Sequence, residues 1–367
     1  MQAREERAVG TKTVLSMDKE HRFPYEWRMS DGYPAVGVEN HQSTVFGTFV
    51  CGGGSTMGYK LAGYHHLGGV ELDPKIAEVY KDNHSPELLY NMDIREFNKI
   101  DLPEELFHLD LLDGSPPCSV FSRAGEKDKG WGKMKRFAEG QSLQTLDDLV
   151  FVYCDTIERL MPRCFVLENV KGLVEANSKS YTKRIVERLS TAYKVQVFCL
   201  NAALMGVPQQ RERVFIVGHR REYDLPKLVL DFREQPIVFG EFMEKYAVEP
   251  GLSEYQLNLW RMRRPSDRTF GDIIKREYGK CSMVNCGIFH KDKVVRTLAA
   301  GTSYAVYDYP RQMTRQELML AGTFPLDYKC KTLSEVRFMV GMAVPPVMAA
   351  QVGYEIWRQW INNIKSK

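Results

Sequence analysis

The sequence predicts an α/β fold: a doubly wound parallel sheet interrupted by one smaller module. Three observations carry this. Short β-rich runs alternate with helical stretches over residues 44–218, the pattern of a sheet covered by helices on both faces. The alternation stops after Gly218 and resumes near Val294. The 367 residues are 44% hydrophobic and 26% charged, enough for a full core and unlike a disordered chain, a coiled coil or a collagen-like repeat.

Residues 1–40 are polar and irregular, carry Pro24 and Pro34, and read as an N-terminal arm. A catalytic body is expected over 41–221. TVFGTFV, from Thr44, is its first strand, and the glycines after it turn the chain into a helix reaching Ala62. HHLGGVEL is the second strand, PKIAEVYKDNH a helix, LLYNMDI the third strand and FHLDLLDG the fourth. Over 142–160, Leu143, Leu146, Leu149, Val150, Tyr153, Ile157 and Leu160 recur at helical spacing. CFVLENV is the fifth strand, 181–189 a helix, KVQVFCL the sixth strand and RVFIVG the seventh. Residues 222–293 mix prolines, arginines and aromatics and read as the separate module. Residues 294–367 return to the first body, with helices over 314–320 and from Pro346 onward.

No apolar run approaches the ~18–20 residues of a membrane span, and MQAREERAVG has no apolar signal core. A cytoplasmic protein without a membrane partner is therefore expected. Eight cysteines at irregular spacings fit reduced thiols better than a disulfide framework. With 50 basic and 47 acidic residues, net charge neither demands nor excludes a nucleic-acid partner.

A strand, a glycine cluster and a helix form a ligand-binding turn in open α/β sheets. Here the turn is Phe49-Val50-Cys51-Gly52-Gly53-Gly54. The dinucleotide fingerprint fails, because Met57 stands where its last glycine belongs, and no Gly-Lys-Ser/Thr follows for a triphosphate. Glu71 ends the second strand, where a carboxylate can accept both ribose hydroxyls, and Asp93 ends the third, placed for an adenine amino group. An adenosine without phosphates and with a small charged tail suits this set: S-adenosyl-L-methionine. A glycine-rich turn with two solvated carboxylates remains the alternative at this point.

Asp113-Gly114-Ser115-Pro116-Pro117-Cys118 follows the fourth strand, Glu168-Asn169 closes the fifth, and Gln209-Gln210-Arg211-Glu212-Arg213 precedes the seventh. A thiol, a carboxyl group and two guanidinium groups at neighbouring strand ends suit covalent catalysis. Read in order, the Phe49 turn, PPCSVFS, ENVKGL, GVPQQRERVFIVG, RQMTRQELMLAGTFPLDY and GMAVPP resemble the DNA (cytosine-5) methyltransferases of bacteria and phages. The resemblance covers roughly 44–220 and 294–355, and 222–293 lies where that family keeps its target-recognition domain. It implies a Rossmann-like methyltransferase sheet with that domain inserted.

The resemblance further implies the site. Cys118 is the nucleophile toward cytosine C6, and Glu168 the acid at N3. Arg213 contacts the base carbonyl, Arg211 orients base or nucleophile, and Asn169 holds loop and base. Phe49, Val50, Cys51, Gly52, Gly54, Glu71, Leu72, Asp93, Ile94, Pro117, Met342 and Val344 fall at cofactor-binding positions. Departures are Cys51 for a usual glycine, Ser119 for glutamine and Met342 for asparagine; ordinary S-adenosylmethionine is still expected. The substrate is double-stranded DNA, with the target cytosine flipped out, and a monomer is expected.

Ser119 and Gln209 are expected at the DNA. So are Arg123, Lys133, Lys135 and Arg136, in the glycine-rich stretch SRAGEKDKGWGKMKR with six basic and two acidic residues. Arg261, Arg263 and Arg264 form a second basic cluster, in the module. Cys281, Cys286 and His290 match no common zinc spacing and lack a fourth ligand, so no metal is expected. Three other readings differ at identifiable features. An RNA methyltransferase of the family would carry a Cys-Phe-Thr signature, which is missing. A silent DNA-binding homologue would have lost Cys118 or Glu168. A nicotinamide oxidoreductase would keep the dinucleotide fingerprint. The DNA site and the biology (restriction–modification, phage protection or regulation) stay open.

Overall fold

β5 (Cys164–Val170) is buried along almost its whole length, because CFVLENV carries apolar residues on both faces, as a central strand must. The computed structural model describes residues 21–34, 40–117, 149–175 and 179–365. Before β5 come β1 (Thr44–Thr48), α1 (Gly54–Leu61), β2 (His65–Val70), α2 (Pro74–His84), β3 (Leu88–Tyr90), α3 (Ile94–Phe97), β4 (Leu111–Gly114) and α4 (Leu149–Leu160). After it come α5 (Lys179–Leu189), β6 (Tyr193–Asn201), the two-residue β7 (Gln209–Gln210) and β8 (Glu212–Arg220). Seven strands form one sheet in the order β3-β2-β1-β4-β5-β8-β6.

The expected strands and helices of this part are present, with one correction of direction. β1 to β5 are parallel, but β8 runs antiparallel to β5 and β6, between which it lies. Residues 202–211 are too short for the crossover that a parallel return needs. Local sequence sets the helix starts. Asp73 caps α2, accepting from the N–H of Lys75 at 2.9 Å, with Pro74 at the first helical position.

One sheet face packs on α1 and α10 (Pro346–Ile356), with Tyr59, Leu61, Val347 and Ala350 in a shared core. The other packs on α4 and α5, through Tyr153, Ile157, Ile185 and Leu189. The C-terminal part adds α8 (Arg315–Ala321), α9 (Leu333–Met342), a π turn (Trp357–Ile361) and α11 (Asn362–Lys365). No helix was expected at α9, although its capping box is readable: Thr332 accepts from the Glu335 N–H, and Glu335 reaches back. Residues 333–364 are long and apolar enough to cross a membrane by composition alone, contrary to expectation, yet 78% of the richest window is buried in the core.

Residues 21–34 dock on the large body rather than trailing from it. Phe23 and Trp27 enter its core, and Arg22 pairs with Glu355 at 2.9 Å. A second, smaller core holds Leu259, Ile273 and Ile274, on α6 (Glu254–Arg261) and α7 (Phe270–Tyr278). It does not coincide with 222–293, since Leu225, Leu228, Ile237, Phe239, Phe242 and Met243 all lie in the large core. β9 (Ile288–Phe289) pairs in parallel with β11 (Ala305–Val306) as a seam between the two, while β10 (Val295–Arg296) pairs with β7. Ile288 and Ala305 face the small core, Phe289 and Val306 the large one, the two-residue period of a strand.

Candidate active site

β1 lies between β2 and β4, so the strand order reverses beside it, and the carboxyl ends of strands at such a reversal are where open α/β sheets bind ligands. β1 stops at Thr48 because Phe49 (φ +55°) and Cys51 (φ +48°) enter the left-handed region, a costly one for residues other than glycine. The glycines that follow are required by packing. A Cβ on Gly52 would sit 2.6 Å from Met339 Cγ, one on Gly53 2.0 Å from His84 Nε2, and one on Gly54 2.3 Å from the Val344 carbonyl. Val344 is buried, as a residue backing this turn must be, whereas Met342 is 48% exposed. The α9 residue that touches the turn is Met339.

Glu71 follows β2 and accepts from the backbone N–H groups of Cys51 at 2.8 Å and Asp73 at 2.9 Å. Burial pushes its carboxyl up, and those two bonds oppose the shift. Leu72, half-buried, comes next. Asp93 does not end a strand, because β3 stops at Tyr90. It caps α3, accepting from the Arg95 N–H at 2.8 Å, and pairs with the Arg95 guanidinium at 3.1 Å. Ile94 packs with Phe49, Leu149 and Val152 as an apolar wall.

Glu168 and Asn169 close β5 beside the segment that leads to Cys118. The Asn169 amide donates to the Pro116 carbonyl at 3.1 Å, and half-buried Pro117 is the last described residue of that segment. Glu168 is buried, and its Oε1 lies 3.0 Å from Arg213 Nε. This contact is an ion pair without hydrogen-bond alignment, so Oε1 has no hydrogen-bond partner among the described residues. Burial pushes the Glu168 carboxyl up; the charges of Arg213 and Arg211 and the Ser115 hydroxyl pull it down. The geometry can hold one polar atom of a ligand against Oε1.

Other expected residues stand elsewhere. Gln209 is fully buried; its amide donates to the Ala321 carbonyl, and its oxygen accepts from the Leu298 N–H. A DNA contact is sterically closed to it. Arg211 is also buried and donates to the carbonyls of Leu298 at 3.1 Å and Gly341 at 3.0 Å, so it ties the link between β7 and β8 to the end of α9. Arg263 lies between the Trp260 and Tyr307 rings, 3.3 Å and 4.7 Å from their centroids, and donates to both residues' carbonyls. It is a structural clamp in the small core. Arg261 and Arg264 are exposed. Cys118, Ser119, Arg123, Lys133, Lys135 and Arg136 lie outside the described residues. Among those described, no three His, Cys, Asp or Glu side chains are placed to share a metal ion.

One acid at this edge is absent from the expected site. Asp113 is buried near the end of β4 and accepts from the Tyr59 hydroxyl at 2.8 Å. Burial raises its pKa to about 7, and the hydroxyls of Tyr59 and Ser55 oppose that rise. Its sequence signal was an acid five residues before Cys118, at a strand end.

The family model described as C-5 cytosine-specific DNA methylase matches residues 44–358. The Type II methyltransferase M.DdeI of Desulfomicrobium norvegicum is 30% identical over 370 residues, 83% of this chain and 86% of its own. The Type II methyltransferase M.FnuDI of Fusobacterium nucleatum is 33% identical over 199 residues, so the match spans 53% of this chain and half of that relative. A crystal structure of an Escherichia coli prophage-encoded protein, assigned as a DNA modification methyltransferase, shares the fold at a TM-score of 0.63 and 17% identity. The match covers 88% of this chain and all of that one.

Proposed function

Since the chain belongs to the C-5 cytosine-specific DNA methylases and is a DNA cytosine-5 methyltransferase, we propose that it methylates a flipped-out cytosine in a specific double-stranded site, through a covalent Cys118–C6 adduct and with S-adenosylmethionine as donor. The observation that carries this reading is the buried Glu168 carboxyl at a strand end, ion-paired through Oε1 to Arg213 and beside the Asn169-held Pro116 segment.

Cytosine C5 is a poor nucleophile. Addition of the Cys118 thiolate to C6 turns the ring into an enamine, and Glu168 supplies a proton or hydrogen bond at N3 as charge develops there. Arg213 holds Glu168 and faces the base carbonyl. Loss of the C5 proton and elimination of the thiolate then free the product. S-adenosylmethionine, when bound, supplies an electrophilic methyl group to C5. The donor set fits that cofactor. Glu71 keeps acceptor capacity on both oxygens, and Phe49 and Ile94 offer an apolar wall, while Gly52 to Gly54 are packed from behind by Met339, His84 and Val344. Asp93 fits less well, since Arg95 already occupies it. Val344 backs the turn at Gly54 and is buried, whereas Met342 is exposed. The basic stretch holding Arg123, Lys133, Lys135 and Arg136 follows the nucleophile, where it can close over phosphates.

DNA with 5-fluorocytosine at the target tests the adduct, because fluorine cannot leave C5 as a cation. A denaturant-resistant complex should form only with S-adenosylmethionine present, and Cys118→Ala should abolish it. Glu168→Gln should slow methyl transfer about 10²- to 10³-fold. An active Cys118→Ala variant, or trapping at another cysteine, would refute the assignment.

A further inference from the structure

The glycine turn rests on a platform built from two distant segments. Its carbonyl at Gly52 accepts from the Tyr328 hydroxyl, and that hydroxyl is also 2.7 Å from His84 Nε2. A carbonyl only accepts, so Tyr328 donates to Gly52 and its oxygen accepts from His84. This sets the imidazole proton on Nε2 and leaves Nδ1 as an unprotonated acceptor, buried without a hydrogen-bond partner among the described residues. Burial holds His84 neutral and keeps the Tyr328 hydroxyl protonated, so the relay keeps one direction across the physiological range.

The platform is itself anchored. Asn83, next to His84 at the end of α2, exchanges two hydrogen bonds with the backbone of Lys329, at 2.7 Å and 3.0 Å. Arg315 of α8 donates to the carbonyls of Tyr328 at 2.9 Å and Cys330 at 3.0 Å. Above the platform stands a turn with two non-glycine residues in the left-handed region, Phe49 and Cys51. Its local ties are Val50 N–H to the Val70 carbonyl at 3.2 Å, Gly53 N–H to the Val50 carbonyl at 2.9 Å, and Cys51 N–H to Glu71 at 2.8 Å. Left-handed backbone persists in such residues only where the surroundings over-determine it.

We infer that Tyr328 and His84 are positioning residues for the cofactor turn, holding the strained Phe49–Cys51 backbone in its binding conformation through the Gly52 carbonyl. This rests on the reading that S-adenosylmethionine binds at that turn. Neither residue touches the reacting atoms, so their loss weakens cofactor binding and leaves the chemical step alone. The inference also couples Tyr328 to Cys51. Glycine at position 51 takes the left-handed conformation without cost, so it should lessen the need for the clamp.

The test uses the full chain and S-adenosylmethionine as probe. Tyr328→Phe keeps the ring and removes the donor. Its Kd for S-adenosylmethionine by calorimetry and its KM should rise about three- to tenfold, the range for one hydrogen bond, with kcat within about twofold. Without cofactor, amide exchange at 50–54 should quicken. The Tyr328→Phe/Cys51→Gly double variant should recover much of the lost affinity, which a general packing defect would not allow. If Tyr328→Phe does not fold, His84→Leu, which removes the donor to Tyr328, carries the same expectations. Unchanged Kd and exchange in a folded variant, or a fall in kcat with Kd unmoved, would overturn the inference. Wild-type protein that binds no S-adenosylmethionine would overturn the underlying reading instead.

Discussion

Asp113 shows how one buried side chain links stability to pH. Its folded pKa of about 7 lies above the ordinary value of 3.8. Below pH 4 the acid is protonated whether the chain is folded or not, and it imposes no penalty. Between pH 4 and 7 the unfolded chain ionises first, so stability falls as pH rises, and above 7 the loss is complete. Asparagine can still accept from Tyr59 and never ionises. Asp113→Asn should therefore gain up to about 4 kcal/mol over wild type at pH 8 and less at pH 5.5, read from urea midpoints at both pH values. Equal gaps at the two would show that the acid ionises freely. Glu168 was legible in the sequence because strand ends mark the edge where ligands bind. Gln209 was misjudged for the complementary reason: its neighbours Leu298 and Ala321 arrive from 89 and 112 residues away, and local sequence cannot show that they take up its amide.

At the level of elements, α8 depends on one buried ion pair. Arg311 and Glu317 are 1% and 0% exposed and lie 2.7 Å apart. Glu317 also accepts from the N–H groups of Thr314 and Glu244, so its carboxylate joins the helix cap to residues of the large core. Removing one partner strands the other charge without water. Glu317→Ala should cost about 3–5 kcal/mol, measurable by urea unfolding; a loss under 1 kcal/mol would mean that water reaches Arg311. The helix start at Thr314 was readable, because a threonine followed three residues later by glutamate is a local signal. The burial of Arg311 was not, since a charged residue before a helix ordinarily faces solvent. Strand direction follows similar lines. The short link from β6 to β8 carries the antiparallel turn in its length, but the place of β8 between β5 and β6 is set by pairing along the whole strand.

Across the whole molecule, two cores share the β9–β11 seam, and this places the cut points for exchanging DNA specificity. If the small core is the recognition module, replacing 252–287 with the counterpart of a relative should move the methylated site and preserve catalysis, as read by base-resolution mapping in an unmethylated host. Replacing 222–293 should instead yield little folded protein, because it removes Phe239, Phe242 and Phe289 from the large core. Retention of the original site by a folded 252–287 chimera would count against the recognition role.

The alternating pattern, the glycine turn, the capping boxes and the ordered motifs around Glu168 depend on residues within about a dozen positions of one another, so fold class and family could be read from the chain alone. Where the cores divide, which arginines remain available to a ligand and what supports the glycine turn depend on contacts between segments far apart in sequence. Tyr328 meets Gly52 across 276 positions, and Arg263 meets Tyr307 across 44. A residue's type states which bonds it can make; only the packed chain decides which partners reach it first and exclude water.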